Sequence, residues 1–199
     1  MSRALDFNGN VERLRSHLAK TKPPPRDLLA NNRKGAAVLI PILERAGELC
    51  VVYIRRSDHV ESHRGQVAFP GGRVDPGDAT LLDTALREAF EEVAIPPHAV
   101  DVLGAFPVES TLTSGIIVAP FAGVIAASTP TRPSPDEVAE IFEVPLSALR
   151  DPRFRGDYEW KREGNDASPS KFPAILYGGQ TIWGLTLRIT LDLLAILDA

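Results

Sequence analysis

The sequence predicts an α+β fold, on three observations. Strand-like and helix-like runs mix along the chain without the regular alternation that builds a doubly wound parallel sheet. Two short continuous apolar runs, residues 36–43 and 49–55, read as buried strands. The clearest helix, which begins after Thr80, carries its own capping signal.

Taken in order, residues 10–19 (NVERLRSHLA) read as a short amphipathic helix with Val11, Leu14 and Leu18 on one side. The run KPPP at 22–25 ends it and acts as a linker. Residues 36–43 and 49–55 are strands joined by the turn ERAGE, and 56–68 have no clear period and read as a long loop. Thr80 and Asp83 form a capping box that starts a helix over 80–93, and Pro96-Pro97 stops it. Residues 100–106 and 116–125 are strand candidates, separated by the Pro-rich loop 129–135 from residues 136–149, whose pattern is helix-like or mixed. Residues 150–170 are polar and loop-like, 172–177 a short strand, and 183–198 a final helix. No internal repeat is present.

With 199 residues the chain is long enough for one domain with a real core. A net charge of −4 gives no global basic field, so no nucleic-acid partner is expected. An anionic ligand would need local compensation, from arginines or from a bound cation. Cys50 is the single cysteine, which excludes an intrachain disulfide, points to a reducing compartment and reads as a buried strand thiol. Phe69 and Trp183 read as core residues. No signal-like apolar run opens the chain and no stretch approaches the ~18 apolar residues of a membrane span. The C-terminal LDA is no peroxisomal address, so a cytoplasmic protein without a membrane partner is expected.

The stretch 69–95 reads FPGGRVDPGDATLLDTALREAFEEVAI. On a helix with Glu88 at zero, Glu92 and Glu91 fall within an arc of roughly 100°, while Leu82, Ala85, Leu86, Ala89, Phe90 and Val93 form a separate apolar face. Like charges at these spacings destabilise a helix by a few tenths of a kcal/mol per pair. A hard divalent cation would convert that repulsion into coordination, and Mg²⁺ commonly shares its shell with substrate phosphates. Gly71 and Gly72, just upstream, permit close approach of backbone to a ligand. A solvated acidic face balanced by Arg87 is the plain alternative.

Gly72, Asp78, Arg87-Glu88, Glu91-Glu92 and Ile95 resemble the Nudix box, over about residues 72–95. Asp78 stands where the pattern has Glu, one extra residue separates it from Arg87, and Ala94 stands where Gly is usual. The preceding segment, RRSDHVESHRGQVAFPGG at 55–72, resembles the extra signature of the coenzyme A pyrophosphatases. Arg56, Ser57, Gly65, Phe69, Pro70, Gly71 and Gly72 match in register, and His63, Gly65 and Gln66 resemble the HxGQ form of that subfamily; Glu61 departs from its Arg. The similarity to the bacterial branch of this subfamily extends over residues 32–195.

The resemblance implies a Nudix α/β/α sandwich with a mixed sheet over 31–199, preceded by an N-terminal helix and linker at 1–30. It implies Mg²⁺- or Mn²⁺-dependent hydrolysis of the diphosphate bond of coenzyme A, to 3′,5′-ADP and 4′-phosphopantetheine. Acyl-CoA or oxidised CoA would be related substrates; the sequence itself is silent on the oligomeric state, for which a homodimer is a guess. Glu88 and Glu92 would bind metal, and Glu91 would be a further ligand or the base acting on water. Arg87 would orient the glutamates. Arg56, His63, Arg64, Gly65, Gln66, Gly71, Gly72 and Arg73 would line the substrate site, the arginines suiting phosphate oxygens. The alternatives are a Nudix pyrophosphatase for ADP-ribose or a dinucleotide, and a catalytically silent nucleotide-binding module. The silent module would be marked by loss of a metal-binding glutamate, and all three are present here.

Overall fold

Along residues 49–54 successive side chains take opposite sides. Cys50, Val52 and Ile54 enter one apolar cluster, while Leu49, Val51 and Tyr53 enter another. A strand buried on both faces requires a layer above and a layer below it. The computed structural model, which describes residues 6–25, 35–60, 63–110, 115–160 and 170–199, has these three layers.

The middle layer holds β1 (Gly35–Arg45), β2 (Glu48–Arg56), β3 (Val67–Ala68), β4 (Gly71–Arg73), β5 (Asp101–Ala105), β6 (Glu109–Ser110), β7 (Ile117–Val124) and β8 (Val138–Pro145). Their order is β3-β2-β1-β7-β5, with β4 on β1, β6 on β7 and β8 on β2. The sheet is mixed: β1 and β7 run parallel, whereas β1 pairs with β2 and β4 antiparallel. A second, antiparallel sheet joins β9 (Arg155–Trp160), β10 (Ser170–Tyr177) and β11 (Gln180–Trp183). The helices are α1 (Phe7–Leu18), α2 (Leu81–Val93), α3 (Leu146–Arg150) and α4 (Gly184–Asp198). On one face of the main sheet α2 buries Leu81, Ala85, Ala89 and Val93 against Ala37, Leu39, Val52 and Ile54. On the other, Leu14 and Leu18 of α1 and Leu193 and Leu197 of α4 pack with Ile40, Ile42, Val51 and Tyr53. This is an α/β/α sandwich of the α+β class.

Helix α1 starts earlier than its sequence pattern suggests, because the Asp6 side chain accepts the Gly9 N–H at 2.9 Å and caps it. The capping box of α2 forms as expected: Thr80 Oγ1 accepts the Asp83 N–H and Asp83 Oδ2 accepts the Thr80 N–H. That helix ends at Ala94, ahead of Pro96-Pro97, with a left-handed φ of 60°. The conformation favours Gly, which accounts for the Gly usual at this point of the box.

Four expectations are corrected. Residues 136–149 divide into strand β8 and the start of α3, because pairing with β2 overrides the helix-like spacing and Pro145 ends the strand. Residues 150–170 include strand β9, held by its ladder to β10; residues 161–169 lie outside the described part. The loop 56–68 contains β3, paired with Ile54 and Arg55. On α2, Phe90 is 54 % exposed and Glu92 only 1 %, so the apolar face and the carboxylate arc are not separate. Glu92 lies within the buried arc. Among the described residues no helix is long and apolar enough to cross a membrane.

Candidate active site

The site forms where α2 lies over β4. Gly71 and Gly72 stand opposite Val38 and Ala37 of β1. A Cβ on Gly71 would lie 2.4 Å from the Ala37 carbonyl oxygen, and one on Gly72 would lie 2.4 Å from the Glu88 carboxylate. A side chain at Gly71 would collide with the backbone of β1, whereas one at Gly72 would displace the Glu88 carboxylate, so Gly72 is the glycine that lets the acidic helix lie close to the strand.

That approach buries Glu92 and gives it two partners. The Gly71 N–H donates to its Oε2 at 2.9 Å, and Arg56 Nη1 donates to its Oε1 at 3.3 Å. Burial nonetheless pushes the Glu92 carboxyl up to about 7, against the pull of Gly71 and Arg56 and with help from the charges of Glu88 and Glu137. Glu88 is also raised, chiefly by burial and against the pull of Arg87.

Arg87 is the hub on the outer side. Its Nε and Nη2 grip Asp78 at 2.9 and 3.0 Å, and its Nη1 donates to Glu88 and Glu91, each at 2.9 Å. Its Nη2 also donates to the carbonyl of Arg73 at 3.0 Å. Asp78 is buried and also accepts the Thr84 hydroxyl at 2.7 Å and the Asp75 N–H at 2.9 Å. The Arg87 fork, aided by these bonds, holds the Asp78 carboxyl well below the usual range, and the Asp78 bond in turn raises Arg87. The shorter aspartate is therefore a full partner of Arg87 despite its departure from the motif.

The remaining sequence candidates divide. Arg56, Gly71, Gly72, Arg87, Glu88, Glu91 and Glu92 are brought together, and Arg73 joins through its carbonyl while its side chain is exposed. His63, Arg64, Gly65 and Gln66 form a neighbouring loop tip bonded within itself: His63 Nδ1 meets Gln66 Oε1 at 3.0 Å, and Arg64 Nε donates to the Val60 carbonyl at 2.8 Å. The Gln66 carbonyl accepts the Arg56 N–H at 3.0 Å and ties that tip to β2. Glu61 lies outside the described residues. Glu137 is a residue the sequence did not point to. Its segment is drawn in by the Ser134 N–H, which donates to the Glu92 carbonyl at 2.8 Å, and no local pattern signals that contact.

The donor set fits a hard divalent cation. Among the described residues, Asp78, Glu88, Glu91 and Glu92 share two guanidinium groups, Arg56 and Arg87, and Glu137 adds a further negative charge. Carboxylate oxygens in excess of local cations suit Mg²⁺ or Mn²⁺. Among the described residues, however, no three His, Cys, Asp or Glu side chains are drawn together as a ready-made cage. Such an ion would therefore take part of its shell from water or substrate oxygens.

The architecture thus defines a class: an α/β/α domain whose acidic helix is fastened to a Gly-Gly strand by Glu92 and Arg87. The model of the NUDIX domain matches residues 33–163. A protein described as uncharacterized Nudix hydrolase NudL from Yersinia enterocolitica is 45 % identical over 170 residues, covering 84 % of this chain and 83 % of the relative. Another of that description, from Enterobacter sp. strain 638, is 40 % identical over 189 residues, covering 94 % and 91 %. A MutT/nudix family protein from Enterococcus faecalis shares the fold, with a TM-score of 0.57 at 16 % identity over 92 % of this chain and 68 % of that one. The chain belongs to the Nudix hydrolases, a family whose members generally use divalent metal ions.

Proposed function

We propose that the protein hydrolyses the diphosphate bond of coenzyme A, giving 3′,5′-ADP and 4′-phosphopantetheine, with Mg²⁺ or Mn²⁺. The observation that carries this reading is the join between the two motifs. Arg56 and Gly71, from the segment that resembles the coenzyme A signature, both bond Glu92 of the acidic helix. These bonds support a reaction site that includes the signature, in which a substrate held by its loop would have its diphosphate beside the glutamates.

Glu88 and Glu92 would hold the ion, with Glu91 a further ligand or the base that takes a proton from water. When bound, the ion lowers the pKa of coordinated water and neutralises charge developing on the diphosphate. The chain's own residues do the positioning. Arg87 fixes Glu88 and Glu91 in one geometry through a fork anchored on Asp78, and Gly71 holds Glu92 against the strand. Glu91, the outermost and 54 % exposed at its side chain, is where solvent water has access. Water adds to one phosphorus, the bridging P–O bond breaks, and two phosphomonoesters leave.

The test is chromatography of coenzyme A, ADP-ribose and NADH after incubation with the purified protein and Mg²⁺ or Mn²⁺. Preferential appearance of 3′,5′-ADP, abolished by chelator and by Glu92→Gln, supports the reading. Preferential cleavage of ADP-ribose or NADH keeps the family chemistry and removes the substrate assignment.

A further inference from the structure

Arg56 ends β2 where the ladder to β8 slips register, Arg55 standing opposite Glu140 and Arg56 opposite Val138. Irregularities of this kind re-aim side chains. Arg55 pairs outward with Glu140, while Arg56 reaches Glu92. Its side chain is about three-quarters buried, and its Nε is shut off from solvent with no acceptor within reach among the described residues. The Nε edge of this fork is therefore closed to a phosphate arriving from solvent. The same short segment is tied down on two further sides: the Arg56 N–H donates to the Gln66 carbonyl at 3.0 Å, and the N–H of buried Ser57 to the Glu137 carbonyl at 2.8 Å.

We propose that Arg56 is a positioning residue for Glu92, and that through it the signature segment sets the affinity of the acidic site for its divalent cation. This departs from the sequence expectation that Arg56 grips substrate, and it rests on the reading of Glu92 as a metal-binding carboxylate. Glu92 has one rigid partner, the Gly71 N–H, and one charged partner, Arg56. Removing the charged partner leaves a buried carboxylate under-compensated and free to turn. Groups that orient a ligating side chain matter roughly 10- to 100-fold in metal affinity.

The experiment is Mn²⁺ binding without substrate, read by electron paramagnetic resonance of the free ion, on the full chain. The variants are Arg56→Gln, Arg56→Lys, Glu92→Gln and the Arg56→Gln/Glu92→Gln pair, each checked for folding by circular dichroism. Arg56→Gln is expected to weaken Mn²⁺ binding roughly tenfold, and Arg56→Lys by less, because the charge remains while the fork is lost. In the Glu92→Gln background the Arg56 substitution should cost nothing more, since the two act as one unit. Turnover of whichever diphosphate is hydrolysed should recover in Arg56→Gln when Mn²⁺ is raised. Unchanged or tighter Mn²⁺ binding, an undiminished effect in the Glu92→Gln background, or a raised KM that excess Mn²⁺ does not correct would each overturn the proposal. If Arg56→Gln does not fold, Arg56→Lys decides alone: a partial loss supports the role and wild-type affinity removes it. Failure of the coenzyme A reading would leave these Mn²⁺ measurements intact, so the two ideas fail separately.

Discussion

The Glu92 carboxylate and the Gly71 N–H, 21 residues apart in sequence, meet at 2.9 Å and fasten the acidic helix to the strand turn. The contact holds a carboxylate in a place that is unfavourable for its charge.

A pH dependence of stability follows. The Glu92 carboxyl lies at about 7 in the folded protein, against 4.5 for an ordinary glutamate. The folded state therefore binds a proton that the unfolded state has lost, and stability falls as pH rises between those values. The full effect is about 3 kcal/mol at most. Thermal melts in chelator should show higher stability at pH 6 than at pH 8, and Glu92→Gln should flatten that slope. An unchanged slope in the variant would place the dependence elsewhere.

Arg87→Ala should cost about 2–4 kcal/mol of stability, because it strands buried Asp78 as well as releasing Glu88. Turnover should fall by roughly 100-fold or more, and Arg87→Lys should rescue little, since an ammonium lacks the five-donor fork. Asp78 lies below its ordinary range when folded, so its contribution is present at neutral pH and is lost as pH falls below about 4. Asp78→Asn should remove that acid-side loss in denaturant titrations.

Gly72→Ala should act on Glu88 above all. The added Cβ would sit 2.4 Å from its carboxylate, a side-chain end that can swing away. Turnover and Mn²⁺ affinity should drop at least tenfold, while stability changes by about 1–2 kcal/mol. Gly71→Ala meets backbone, the Ala37 carbonyl and Val38 Cα, and should destabilise the fold itself. Paired melting and activity measurements separate the two outcomes.

Ala94→Gly should stabilise the protein by about 0.5–1 kcal/mol. Ala94 closes α2 at φ 60°, a conformation that costs every residue but glycine. A rise in melting temperature with unchanged kinetics is the expected result.

Much of this site was legible in the sequence because its contacts are local. The Thr80–Asp83 box at i,i+3 and the Arg87 bond to Glu91 at i,i+4 follow helical spacing, which fixes who can meet whom, and the glycine pair lies in the same short stretch. The strands at 36–43 and 49–55 were legible for the same reason, since a continuous apolar run needs burial whatever its neighbours. Strand β8 was not legible, because the ladder to β2 that makes it a strand comes from residues far back in the chain.

The sequence by itself determined the acidic helix, its cap, the three glutamates on neighbouring turns and the family to which they belong. Only the tertiary structure decided the environment of each glutamate. Helical spacing puts Glu92 and Glu91 on comparable footing, yet packing against β4 buries the first among Arg56 and Gly71 and leaves the second in solvent. Burial depends on which strand a helix meets and how closely, and here the missing side chain at Gly72 leaves room for the Glu88 carboxylate against β4. Spacing fixes angles around a helix, but the environment at each angle belongs to the rest of the chain.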